Sequence, residues 1–189
     1  MLHRGLALRC CQLLWGLVLL SMPITCFDSS RAGPQYSPAD IDDAALFARY
    51  DCEDSVRLDI DSAVQSLRAV ELSEFYTRKP DMREYLIDAA RDGVDFACQY
   101  AVVTTGCGTA CQTGLLIDLS ATAAGRMYAL PTSEWGSLYR ADSRLWIINP
   151  RDEVALADRP AYALPVYMLW HPNKFTILYD FRSNVRKQR

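Results

Sequence analysis

Histidine is nearly missing from this chain: of 189 residues only His3 and His171 carry an imidazole, and they lie far apart in sequence. Proton-transfer chemistry through histidine, and zinc sites built from several imidazole or thiolate ligands at recognised spacing, therefore have little to draw on. No G-x-S-x-G elbow, G-x-x-x-x-G-K-[ST] loop or H-E-x-x-H pair occurs, and no cysteine is accompanied by a fitting His and Asn set. A preponderance of one charge is also lacking. Twenty Lys and Arg against 23 Asp and Glu leave a net charge of -3, too small to call for a nucleic-acid partner. Metal, cofactor and nucleic acid are accordingly not expected, and no catalytic residue stands out.

What is present is a chain whose residues are 50% apolar, enough to bury a core, at a length that suits a single domain. Arg4 and Arg9 precede an uncharged run over residues 10–27 centred on LLWGLVLL, the basic-then-apolar order of a secretion signal. Residues 1–27 are expected to be a signal peptide or an N-terminal anchor; Cys26 stands where a lipidated cysteine could, after a poorly fitting Thr25. Residues 28–37, small, polar and interrupted by Gly33 and Pro34, read as a linker. The domain proper is expected over residues 38–181, with 182–189 as a basic tail.

Ser37, Pro38 and Asp40 form a helix-start signature, and the apolar spacing through Ala48 predicts a helix over residues 38–49. Asp40, Asp42 and Asp43 lack the glycine and closing glutamate of a calcium loop and fit a helix amino end. Residues 56–73 read both as strand and as helix. The stretch DMREYLIDAARDG predicts a helix opened by Pro80 and stopped by Gly93 in a left-handed conformation.

After Gly93 the period becomes extended. Residues 96–103 predict a strand apolar on both faces, suited to the middle of a sheet. Further strands are predicted over 115–119, 126–130 and 143–148, then a hairpin of 166–170 and 175–179 around HPNK. The fold class is α+β, with N-terminal helices packed on one antiparallel sheet of about five to six strands.

Cys52, Cys98, Cys107 and Cys111 follow the leader, an even number with three pairings. Proximity favours Cys107 with Cys111. Four extended steps would hold their α-carbons about 13 Å apart, against a limit of about 7 Å for a bridge, so the chain must turn back, and Gly106 and Gly108 permit it. That short loop is worth about 2 kcal/mol in the chain-entropy account, whereas a Cys52–Cys98 bridge would contribute about 4. Cys-x-x-x-Cys in a strand context is one residue longer than the redox Cys-x-x-Cys at a helix start. In YRADSRL, strand alternation would put Arg140, Asp142 and Arg144 on one face, where Asp142 holds two guanidinium groups or yields one to an anionic ligand. Trp135, Tyr139, Trp146 and Trp170 read as core or rim aromatics.

Gly93, Phe96, Ala97 and Tyr100, then Gly106, Cys107, Gly108, Thr109 and Cys111, then Asp118, Gly125, Arg126 and Tyr128, then Asp142, Ser143, Arg144 and Leu145 make a pattern F-A-x-x-Y, G-C-G-T-x-C, D-S-R-L. It resembles a family of small exported bacterial proteins without an assigned activity. Members often carry Gly-His after the Phe-Ala, where this chain has Cys98 and Gln99; a histidine-dependent role does not carry over, and Cys98 becomes a candidate partner for Cys52. The resemblance implies a periplasmic or secreted protein, or one attached to the membrane through its N-terminal segment. The expected function is a disulfide-stabilised binding module of the bacterial envelope, contacting an envelope protein or small ligand through Thr109, Arg140, Asp142 and Arg144. The alternatives are a thiol-disulfide oxidoreductase using Cys107 and Cys111, or a structural membrane-associated envelope protein.

Overall fold

The computed structural model describes residues 37–52, 56–79, 81–151 and 158–182. The expected leader, Pro80 and the tail beyond Arg182 lie outside the described residues. Among the described residues four α-helices, α1 (Asp43–Arg49), α2 (Ile60–Ala69), α3 (Glu74–Thr77) and α4 (Met82–Asp92), precede seven strands. These are β1 (Tyr100–Gly108), β2 (Cys111–Asp118), β3 (Met127–Ala129), β4 (Ser137–Leu138), β5 (Leu145–Ile148), β6 (Val166–His171) and β7 (Lys174–Asp180). The α+β class holds. The single sheet of five to six strands does not: the strands form two antiparallel sheets, β1-β2-β3 and β4-β5-β6-β7.

Side-chain alternation explains why two sheets are stable here. Ala101, Val103, Leu115 and Ile117 face α2 and α4, meeting Leu67, Leu86 and Ile87. Tyr100, Val102 and Leu116 face the other way and meet Trp146, Ile148 and Trp170 of the second sheet. Leu145, Ile147 and Tyr167 on that sheet's far side pack with Phe47 of α1 and with Phe181. The result is four layers: helices, sheet, sheet, helix. A strand apolar on both faces is thus sandwiched, as its sequence demands, yet β1 stands at the edge of its sheet and not in the middle.

Several boundaries move for identifiable reasons. The expected helix over 38–49 splits: Ser37 and Asp40 close a capping box on the 3-10 turn Pro38–Asp40, then Asp42 caps α1 afresh through the Ala45 amide. Arg151 holds the break open by donating to the Pro38 and Ile41 carbonyls. The acidic trio serves local structure, since Asp43 pairs with Arg151 at 3.0 Å and accepts the Tyr167 hydroxyl at 2.8 Å. The ambiguous stretch contains both readings, Leu58 bridging Ser120 before α2 begins. Gly93 ends α4 with φ 103° and ψ -150°, a positive-φ stop outside the left-handed helical region. The HPNK hairpin forms as expected, with Asn173 at φ 76° in its turn.

Gly114, on β2, has no room for a side chain: a Cβ there would stand 2.0 Å from the Val103 carbonyl oxygen and 3.0 Å from Leu130 Cδ1. Gly114→Ala is expected to destabilise the protein by about 1–3 kcal/mol through overpacking, read as a lowered urea midpoint.

Candidate contact surface at the cysteine-closed hairpin

The β1–β2 hairpin is buried at its base and exposed at its far end. Residues 100–103 and 114–118 are buried, whereas residues 104–113 are half-buried or exposed. The register runs from Tyr100 opposite Asp118 to Gly108 opposite Cys111, with a bulge between Gly106 and Gly108. The reversal is made by Thr109 and Ala110. Ala110 takes φ 47° and Gly108 φ 140°, while Gly106 needs no special conformation. Cys107 and Cys111 are bonded, their α-carbons 5.1 Å apart.

Neighbouring segments brace this tip. Lys79 Nζ donates to the Gly106 carbonyl at 2.6 Å, and the ammonium also lies 4.9 Å from the exposed Phe75 ring. Tyr76 donates its hydroxyl to the Gly114 carbonyl at 3.1 Å, and burial pushes its phenol above the usual range. On the other strand Gln112 and Ser133 exchange backbone hydrogen bonds of 2.7 and 2.9 Å. Residues 104–113 read TTGCGTACQT, with both cysteines bonded, so the segment carries no free acid, base or nucleophilic thiol. Chemically it offers hydroxyls, an amide and backbone groups held in place.

The second cysteine pair, Cys52–Cys98, sits at the opposite end of the hairpin, with α-carbons 6.0 Å apart. The chain around Cys98 is the largest departure from expectation: the residues before Tyr100 form a turn, with Ala97 and Cys98 at φ 48° and 58°. Their amides are taken elsewhere, Ala97 N–H by the Ser143 carbonyl and Cys98 N–H by the Ala141 carbonyl, while Cys52 N–H donates to the Asp142 carbonyl. Groups so occupied cannot join a ladder, and β1 starts at Tyr100.

Ser143 is the centre of that joint. It is fully buried; its hydroxyl lies 3.1 and 2.9 Å from the Phe47 and Tyr50 carbonyls that it can serve as donor, and accepts the Leu145 amide. The D-S-R-L segment therefore ties α1, the Cys52–Cys98 bond and β5 together. Residues 139–142 are not strand, so alternation does not apply to them. Asp142 pairs with Arg140 at 3.3 Å and, among the described residues, not with Arg144. Arg140 and Asp142 are exposed, and the Arg140 guanidinium lies 5.4 Å from the Phe47 ring centre. Arg144 is half-buried; its amide donates to the Tyr50 carbonyl and its carbonyl accepts from Trp170.

Thr109 and the Arg140–Asp142 pair are not brought together. Eight strand steps separate Tyr100 from Gly108, about 26 Å of ribbon, with the pair at the base and Thr109 at the tip.

Three arrangements had weak or no sequence signals. Asp118, 3% exposed, accepts from the Ser120 amide at 2.9 Å and from Gln99 Nε2 at 3.3 Å. Burial, with the Asp118 charge adding to it, pushes Tyr100 up to about 12. Asn149 at φ 53° accepts the Glu134 and Trp135 amides, and buried Arg159 donates to the Asn149 and Pro150 carbonyls. The Asn-Pro dipeptide is a turn signal that could have flagged this corner. An open groove of about 680 Å³ runs between α2 and the β2–β3 turn, lined by Ser62, Ser66, Thr122 and Arg126 among small residues.

Among the described residues no three or more His, Cys, Asp or Glu side chains gather as a metal site, and no helix is long and apolar enough to cross a membrane. Compared with protein-family models, with curated proteins and with solved structures, the chain matches none.

Proposed function

We propose that this chain is an exported, disulfide-stabilised module of the bacterial envelope that binds an envelope protein or small ligand without catalysing a reaction. The observation that carries the reading is the hairpin tip over residues 104–113: exposed, closed by Cys107–Cys111, braced by Lys79 and Ser133, and without a free ionisable side chain. Backbone and hydroxyl groups ordered in advance lower the entropic cost of association. Thr109 forms the tip contact; Arg140, Asp142 and Arg144 form a second, separate one at the hairpin base. Export is supported by the basic-then-apolar leader and by the two disulfides, which persist in oxidising compartments.

The test is cross-linking in intact envelopes with the native chain and with the Thr109→Lys, Arg140→Ala, Arg144→Ala variant. Capture of the principal partner is expected to fall at least tenfold in the variant at equal folded protein. Unchanged capture would remove the site.

A further inference from the structure

The two disulfides close very different loops. Cys107–Cys111 spans 4 residue steps and Cys52–Cys98 spans 46, so losing the longer loop's bond returns far more freedom to the unfolded chain and weakens the fold more than losing the bond at the tip. Their surroundings act in the same direction. Around Cys52 and Cys98 the backbone is hydrogen-bonded to Ala141, Asp142 and Ser143, which keeps the two cysteines facing each other and favours the closed bond. At the tip, the ladder from Tyr100–Asp118 to Gly106–Gln112 is paired by its own hydrogen bonds, so opening Cys107–Cys111 frees little besides the bulge and the Thr109-Ala110 turn. All four cysteines are half-buried, but Cys107 and Cys111 flank the exposed residues Gly108, Thr109 and Ala110, whereas Cys98 follows the buried Ala97, so the tip bond is the more open to an incoming thiol.

We infer that Cys107–Cys111 is a redox latch on the contact surface, opened under native conditions by a dithiol that leaves Cys52–Cys98 closed, and that opening it releases the partner. The gating half rests on the tip being the contact surface proposed above. In the exchange, a thiolate of the external dithiol attacks Cys111 Sγ. The sulfur–sulfur electron pair passes to Cys107, which leaves as thiolate and takes up a proton. The second thiol of the reagent then attacks the mixed disulfide, freeing Cys111. The protein gains two electrons and two protons, and the external dithiol becomes a disulfide.

The experiment titrates the purified full chain with dithiothreitol, quenches with N-ethylmaleimide and maps the labelled cysteines by mass. The same dithiothreitol series is applied to envelopes carrying a photo-cross-linking residue at position 112. Labelling of Cys107 and Cys111 is expected at a dithiol excess at least tenfold below that labelling Cys52 and Cys98, with the cross-linked product falling at least tenfold over the same range. The Cys107→Ser, Cys111→Ser variant is expected to show the low yield without dithiol. Simultaneous opening, or Cys52–Cys98 opening first, overturns the latch and leaves the contact reading standing. A cross-link equally strong in both redox states overturns the gating alone. No cross-link in the oxidised chain overturns the contact reading and the gating with it, even where the selective opening is seen.

Discussion

Replacing both Cys52 and Cys98 by alanine is expected to cost about 4 kcal/mol, while the same change at Cys107 and Cys111 costs about 2. For a chain of this length, the first loss corresponds to a fall of about 8–16 °C in melting temperature and the second to about half of that. The larger effect has two sources. The unfolded chain regains the freedom of a loop 46 residues in separation, and the folded chain loses the bond that holds Ala97 and Cys98 in their positive-φ turn against Ser143. The smaller effect follows from a short loop whose flanking ladder is independently paired. Thermal melting of the two double variants beside the native protein measures both; equal losses would mean that the two bonds share one structural duty.

Trp146→Ala is expected to cost about 3–5 kcal/mol, the usual range for removing a fully buried large aromatic side chain. Trp146 is 1% exposed, stacks on Tyr139 with ring centres 4.5 Å apart, and meets Phe96 edge to face at 5.2 Å. Phe175 closes the cluster at 5.8 Å. Because this cluster fills the interface between the two sheets, the cavity opens inside a close-packed core. Trp146→Phe keeps a ring there and is expected to lose less than half as much. Denaturant midpoints of both variants, with near-ultraviolet circular dichroism reporting the aromatic packing, check the ordering. Near-native stability of Trp146→Ala would contradict the two-sheet interface.

How much of this was legible in the sequence depended on how local the cause was. The α4 helix, the HPNK hairpin and the clustering of both cysteines at one reversal could be read because neighbours in sequence decide them. The double apolar face of β1 was legible as burial on both sides, but sequence periodicity does not say whether the second cover is a helix or a sheet, so two sheets were read as one. The turn at 97–98 was hidden because its cause is distant: Ala97 and Cys98 are withdrawn from the strand by carbonyls at positions 143 and 141 and by a bond to Cys52. The arrangement of the arginine cluster was hidden for a related reason, since alternation was applied to residues 139–142 that are not strand, and the buried residue there is Ser143. The tip residues were legible by composition alone: a stretch with glycine, threonine and paired cysteine has few ways to be buried and several to be held rigid.

The cysteines form two separate joints, one welding the first helix to the sheets and one closing an exposed hairpin tip. Mass mapping of the oxidised full-length protein after proteolysis without reductant tests this arrangement most directly. Peptides joined through Cys52–Cys98 and through Cys107–Cys111 are the result it predicts; a crossed pairing such as Cys98 with Cys107, or free thiols at Cys107 and Cys111, would contradict it.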